Sequence, residues 1–137
     1  MPIIQIKFSS ASADRHLPAR IAEEAVRITT DVLRKNPQLT AVTVEQVPAD
    51  RWFVGGASLA EQRKSSFFLD IKVVDGTNTK DEKAAYVAAV FAAMGDLIGE
   101  LHPESYVYVH DVRAEAYGFG GLTQEHRYIA GRLPQAA

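Results

Sequence analysis

The chain has 137 residues and a mass of 15.0 kDa, enough for one ordinary domain. Its 15 basic and 17 acidic residues leave a net charge of −2, which argues against the basic face of a nucleic-acid-binding protein. The absence of cysteine excludes disulfides and thiolate chemistry. Charges interrupt every apolar stretch before it reaches membrane-spanning length, and the first residues lack a signal-peptide pattern. We therefore expect a cytoplasmic protein without nucleic-acid or membrane partners.

The first half of the chain predicts a strand, a helix and a second strand. Residues 2–8 are β-branched and extended in character. Apolar side chains then recur at helical spacing from Leu17 to Val32, with charged side chains on the opposite side. Asn36-Pro37 is expected to stop this helix, and residues 41–47 predict the second strand.

The second half predicts the same order of elements. Residues 67–74 form a strand that ends at a turn, and Thr79 to Glu82 have the pattern of a capping box that opens a helix. Gly99 is expected to end the helix, and residues 105–112 predict the last long strand. The expected buried stripe of the helix consists of Val87, Val90, Phe91, Met94, Leu97 and Ile98.

The two halves repeat each other at a constant offset of 65 residues. This offset predicts a single domain over residues 1–137, made of two pseudo-repeats at about 2–64 and 67–130. The matched positions are Ile6-Lys7 with Ile71-Lys72, Val42 with Val107, Val44 with Val109, Trp52 with Tyr117, and Gly55-Gly56 with Gly120-Gly121.

Two β-α-β units predict an α+β fold, in which a four-stranded mixed sheet carries two helices on one face. The strand at residues 67–74 is apolar with little alternation, which is typical of a sheet that is covered on both faces. Because the chain supplies helices for only one face, we expect other subunits to cover the second.

The sequence lacks the common catalytic and cofactor motifs, including a nucleophile elbow, a Walker lysine loop and a paired-histidine zinc motif. The glycine-rich segment at residues 118–121 has Thr123 in place of the final glycine of a dinucleotide fingerprint, and we interpret it as a tight turn. The four histidines are scattered without ligand spacing. We expect no metal and no cofactor.

The residue with available chemistry is Pro2. Methionine is normally removed before a small residue, which would leave Pro2 with a free secondary amine. An α-amino group titrates near ~7.7–8.0, and partial burial or nearby cations lower its pKa toward the range of a general base at neutral pH. Such an amine can take a proton from a carbon next to a carbonyl. The alternative is that Pro2 merely begins an edge strand.

A proline start, a duplicated β-α-β unit and Gly-Gly turns together resemble the tautomerase superfamily. The opening, residues 2–6, and the segment from Leu39 to Gly56 are similar to 4-oxalocrotonate tautomerase. Residues 35–38 and 107–110 are more similar to macrophage migration inhibitory factor. The resemblance covers roughly residues 2–125, and it implies a homotrimer in which the amino-terminal proline is the catalytic base or acid.

The resemblance also implies roles for individual side chains. Lys35 corresponds to the lysine that binds the substrate carboxylate, and Tyr108 and His110 correspond to a pair contributed by a neighbouring subunit. Thr43 and Thr77 stand where relatives have arginines, so neither a dicarboxylate clamp nor dehalogenation is expected. The implied site comprises catalytic Pro2 and Tyr108, with Lys35, Lys72, Trp52, His110 and Tyr117 binding substrate.

The leading hypothesis is therefore a tautomerase for a small 2-oxo acid or its enol, in which Pro2 moves a proton between carbon and oxygen. Two alternatives stay open. One is a decarboxylase or hydratase of a small unsaturated acid on the same fold. The other is a non-catalytic trimeric scaffold.

Overall fold

In the computed structural model, which describes residues 2–134, two β-α-β units follow each other along the chain. Each is followed by a short 3₁₀ turn, a two-residue hairpin and a short helix. The first set is β1 (Ile3–Ser9), α1 (Leu17–Leu33), β2 (Ala41–Gln46), β3 (Phe53–Val54), β4 (Ala57–Ser58) and α2 (Leu59–Gln62). The second set is β5 (Ser66–Val74), α3 (Lys80–Ile98), β6 (Tyr106–Val112), β7 (Gly118–Phe119), β8 (Leu122–Thr123) and α4 (Gln124–Ala130).

The long strands form one four-stranded mixed sheet in the order β2-β1-β5-β6, which confirms the predicted fold. β1 is parallel to β2, β5 is parallel to β6, and β1 and β5 are antiparallel at the centre. Both long helices pack their buried side chains into the same core on one face of the sheet. With this topology, the starts of β1 and β2 and the ends of β5 and β6 lie at one end of the sheet, which we call the Pro2 end.

The 65-residue offset is visible in the backbone of the two hairpins. Gly55-Gly56 have φ values of 64° and 85°, and Gly120-Gly121 have 59° and 84°, in the left-handed region that glycine adopts without strain. Ser58 and Thr123 each cap the short helix that follows, by accepting the backbone N–H three residues on. The single-domain assignment over residues 1–137 stays a prediction, because Met1 and residues 135–137 lie outside the described part of the chain.

Helix α1 ends earlier than predicted. Its last residue is Leu33, because Arg34 adopts a left-handed conformation with φ of 58°. Asn36-Pro37, the expected stop, instead opens the 3₁₀ turn Pro37–Leu39, where the Asn36 side chain accepts the Gln38 N–H at 2.9 Å.

Helix α3 begins with the predicted capping box, formed by Thr79 and Glu82. Its predicted buried stripe was partly wrong, because Val87 and Phe91 are 41% and 40% exposed. The helix instead presents the set at four-residue spacing to the core: Tyr86, Val90, Met94 and Ile98. The Tyr86 hydroxyl shares a buried 2.8 Å hydrogen bond with Thr29 of α1, and burial raises the pKa of Tyr86 to about 12.

The sheet face away from the helices, here called the open face, is not apolar, and the prediction of strands that are apolar on both sides was wrong. Along β5, Phe67, Leu69, Ile71 and Val73 are buried against the helices, whereas Asp70 and Lys72 alternate with them on the open face. Partly exposed aromatic side chains lie among these charges. The open-face side chains include Gln5, Lys7, Thr43, Glu45, Phe68, Tyr106, Tyr108 and His110.

Candidate active site

Pro2 is buried at the Pro2 end, immediately before β1. Its carbonyl accepts the Ala41 N–H at 3.2 Å, which ties the start of β1 to the start of β2. The antiparallel register places Ile3 opposite Lys72, so Pro2 lies beside the last residues of β5. Met1, whose removal a free Pro2 amine requires, lies outside the described residues.

Lys35 lies at the same end, just beyond α1. Its Nζ donates a 2.9 Å hydrogen bond to the Thr77 hydroxyl, which in turn donates to the Val74 carbonyl at 2.6 Å. Burial lowers the pKa of Lys35, while the carboxylates of Glu82 and Asp111 act in the opposite direction. Lys35 is therefore a partly desolvated cation, which attracts an anion more strongly than a fully solvated one.

Thr77 is a contact that the sequence does not predict. In the sequence it is only a position without an arginine, whereas in the structure it holds the Lys35 ammonium. The two residues are 42 positions apart, and no local pattern links them. A second contact fixes the same loop, since the buried Asn78 side chain donates to the Leu33 carbonyl at 3.0 Å.

Tyr117 also lies at the Pro2 end, after β6. Its carbonyl accepts the Gln124 N–H at 3.0 Å, and burial raises the pKa of its phenol. A cavity of about 570 Å³ opens at the same end of the molecule, between the loop after β5 and helix α4. Its lining includes Val74, Thr77, Ala114, Gln124 and Tyr128, so this end of the molecule offers both apolar and polar contacts to a small ligand.

Trp52 lies at the opposite end of the sheet, after β2. Its carbonyl accepts the Leu59 N–H at 2.8 Å, the same contact that Tyr117 makes in the second repeat. Trp52 lines a separate cavity of about 440 Å³ with Arg51 and Phe53. One subunit therefore does not bring Trp52 to its own Pro2.

The remaining predicted residues form a cluster on the open face. Asp70 accepts one hydrogen bond from Lys72 Nζ at 2.8 Å and another from His110 Nε2 at 2.9 Å. The His110 ring stacks on Tyr108 with centroids 5.7 Å apart, and Tyr108 also contacts Phe68 at 5.4 Å. Asp70 is absent from the sequence predictions, because only the register of β5 against β6 brings it between Lys72 and His110.

Within this cluster, His110 and Tyr108 are separated from the Pro2 of their own chain, whereas Lys72 lies beside it. His110 pairs with Lys72, and Lys72 pairs with Ile3, so His110 lies two strands from β1. At 4.7–4.9 Å per strand, that separation is about 10 Å, and Tyr108 lies farther along β6. A single subunit thus collects Pro2, Lys35 and Tyr117 at one end, with Tyr108 and His110 elsewhere.

The described residues contain neither a metal-binding group nor a membrane-spanning helix. Between residues 2 and 134, no three His, Asp or Glu side chains are grouped so that they could hold an ion. No helix in the same range is both long and apolar enough to cross a bilayer.

Two comparisons with known proteins both find similarity to tautomerases. The family described as tautomerase enzymes matches residues 68–127. The probable tautomerase K2 of Dickeya dadantii (strain 3937) is 27% identical over 66 residues, which are 48% of this chain and 98% of that protein.

Solved structures show the same fold over most of the chain. Pt0534, solved after inactivation by 2-oxo-3-pentynoate, has a TM-score of 0.78 at 13% identity and covers 91% of this chain and 98% of its own. An asymmetric trimer of wild-type F6 fused 4-OT has a TM-score of 0.77 at 14% identity, with coverage of 91% and 98%.

Proposed function

We propose that this chain, which belongs to the tautomerase superfamily, is an enzyme that interconverts the keto and enol forms of a small 2-oxo acid. The observation that carries the proposal is the joint position of Pro2 and Lys35. A buried proline at the start of β1 and a partly desolvated lysine lie at the same end of the sheet. That pair provides a proton carrier and a carboxylate anchor, the two groups that such a reaction needs.

In the proposed reaction, the neutral amine of Pro2 takes the proton from the carbon next to the 2-oxo group. The electrons of the C–H bond form the carbon–carbon double bond of the enolate, and its oxygen then receives the proton from the Pro2 ammonium. The Lys35 ammonium holds the substrate carboxylate. Tyr108 of a neighbouring subunit donates a hydrogen bond to the developing oxyanion. In this proposal Trp52 and His110 contact substrate from a neighbouring subunit, and Lys72 and Tyr117 contact it as well.

The proposal requires an oligomer, because Tyr108 is far from the Pro2 of its own chain. β2 and β6 are edge strands of the sheet, and exposed edges favour pairing with another chain. The fused 4-OT structure is a trimer. We therefore propose a homotrimer in the cytoplasm, the location being a prediction from the sequence.

Sedimentation analysis at micromolar concentration is expected to give a species of about 45 kDa, three times the chain mass of 15.0 kDa. A closed trimer keeps this mass on dilution within that range. A species of one chain mass would contradict the trimer and would leave Tyr108 without a Pro2 partner.

A mono-acid is expected to be the better substrate. We place Lys35 at the substrate carboxylate, and the resemblance implies that Thr43 and Thr77 stand in place of arginines. The compound that inactivates Pt0534, 2-oxo-3-pentynoate, is itself a 2-oxo mono-acid. The catalytic efficiency kcat/KM should therefore be higher for the enol of an aryl pyruvate than for a 2-hydroxymuconate-type di-acid.

Ultraviolet absorbance at the enol bands measures both reactions on the same enzyme preparation. Equal or greater catalytic efficiency on the di-acid would contradict a site in which Lys35 binds a single carboxylate. Decarboxylation or hydration of a small unsaturated acid, without ketonisation of either enol, would favour the decarboxylase or hydratase alternative.

A further inference from the structure

Asp70, which has no role in the proposed reaction, forms a pair with His110 on the open face. Each oxygen of the Asp70 carboxylate has a different partner: Lys72 Nζ on Oδ1 and His110 Nε2 on Oδ2. The Asp70 side chain is only 14% exposed, so its neighbours on the sheet cover most of it. Lys72 alone would provide a counter-ion for this carboxylate. The hydrogen bond from His110 is therefore more important for the orientation of the histidine ring than for balancing the charge of Asp70.

The contact fixes the tautomer of His110. A carboxylate oxygen can only accept a hydrogen bond, so the ring nitrogen facing it, Nε2, carries the hydrogen. In a neutral imidazole the other nitrogen, Nδ1, is then an acceptor. A hydrogen bond at one ring nitrogen in this way determines what the other offers to a ligand.

The ring plane of His110 is fixed as well. Tyr108 stacks on the ring at an angle of 21°, and the Asp70 contact sets its rotation about the side-chain bonds. The histidine side chain nevertheless keeps 43% of its surface exposed. His110 is thus an oriented acceptor that a ligand on the open face can reach, next to the Tyr108 hydroxyl.

We propose that Asp70 is a positioning residue that holds His110 in the Nε2–H tautomer, so that His110 Nδ1 accepts a hydrogen bond from the enol hydroxyl of a 2-oxo acid. The inference rests on the proposed function, since the acid is bound at the Pro2 of a neighbouring subunit. The pair of Tyr108 as donor and His110 as acceptor distinguishes the enol from the keto form, because only the enol oxygen carries a hydrogen.

The decisive variant is Asp70→Asn, which preserves the shape of the side chain. The amide can present its NH₂ group to the imidazole, and the ring then no longer has to keep its hydrogen on Nε2. The matched control is Glu45→Gln, the same kind of change on the same face, at a carboxylate 3.6 Å from Lys7 and remote from His110. His110→Gln identifies the His110 signals among the four histidines and completes a double-mutant cycle.

The first measurement is the imidazole ¹⁵N spectrum, recorded well above pH ~6.5, where histidine is ordinarily neutral. Wild type and Glu45→Gln are expected to show His110 mainly as the Nε2–H tautomer, and Asp70→Asn a mixture of both tautomers. A His110 spectrum in wild type that is already a mixture, or one that Asp70→Asn leaves unchanged, would overturn the positioning role. This measurement needs no activity, so it is independent of the proposed function.

The second measurement is kcat/KM for an aryl pyruvate enol. Asp70→Asn is expected to lower it roughly tenfold, the scale of one lost hydrogen bond to a charged or strongly polarised group. In the His110→Gln background the same change should have almost no further effect, while sedimentation shows the same oligomer. Equal losses in both backgrounds would assign Asp70 a structural role and overturn the inference. A wild type that shows the expected tautomer but no tautomerase activity would overturn the enol contact together with the proposed function, and leave the Asp70–His110 positioning supported.

Discussion

Replacing Pro2 with alanine is expected to lower tautomerase activity by roughly 10²–10⁴-fold, which is the usual contribution of a positioned general base. Alanine keeps a terminal amine, but the amine is primary, more flexible and differently basic. The carbonyl of residue 2 can still accept the Ala41 N–H, so the start of β1 and the oligomer should be preserved. Steady-state rates with an aryl pyruvate enol measure the loss of activity, and sedimentation of the variant shows whether the oligomer is preserved.

The pH profile of the wild type provides a second test of the same base. Pro2 is buried, and burial disfavours the charged form of an amine, so we expect a free Pro2 amine to have a pKa below that of an exposed one. Because the neutral form is the active one, kcat/KM should rise with pH along an acidic limb that belongs to Pro2, separate from the alkaline change expected for Lys35. Its midpoint should lie below the ~7.7–8.0 of a free α-amino group.

Two controls accompany this experiment. Pro18→Ala changes a proline in the first turn of α1, at the opposite end of the sheet, and should leave the rate unchanged. Intact mass must show that Met1 has been removed, since a peptide bond to Met1 turns the Pro2 nitrogen into a non-basic amide. Full activity of Pro2→Ala, or of a protein that retains Met1, would refute the proline mechanism. An inactive native protein that retains Met1 would support the scaffold alternative.

Replacing Lys35 with alanine is expected to have the second-largest effect, a loss of roughly 10- to 100-fold in kcat/KM. A hydrogen bond to a charged group contributes about 1.5–3 kcal/mol, and each 1.4 kcal/mol corresponds to a factor of about ten. The loss should appear mainly as a higher KM, because the carboxylate is charged in substrate and transition state alike. Thr77→Val should reproduce a smaller part of it, since it removes only the 2.9 Å contact that holds the ammonium.

The Lys35 pKa gives this prediction a pH signature. Burial lowers that pKa, so the cation is lost at a lower pH than for an ordinary lysine. KM for the mono-acid should therefore rise on the alkaline side in wild type and stay flat in Lys35→Ala. Lys64→Ala, which removes a lysine paired with Glu100 at the opposite end of the sheet, is the matched control. Equal effects of the two lysine variants would contradict the proposal that Lys35 binds the substrate carboxylate.

The sequence by itself determined the elements and their duplication. Periodicity, glycine turns and the Thr79–Glu82 capping box are local, because each depends on side chains within one or two turns of the backbone. These local signals recur at an offset of 65 residues, so the sequence predicted two β-α-β units and hence the four-stranded mixed sheet. The prediction for Pro2 likewise rests on local features, its residue type and its place before β1, and it stays a prediction.

Only the tertiary structure decided which residues meet. The Lys35–Thr77 and Asp70–His110 contacts join residues about 40 positions apart, and they depend on strand register and loop closure rather than on any short pattern. The separation of Trp52 from Pro2 follows from the parallel and antiparallel order of the strands. The exposed face of α3 and the polar open face of the sheet were mispredicted for the same reason. A hydrophobic run shows that side chains are apolar, but the packing of helix against sheet decides which of them become buried.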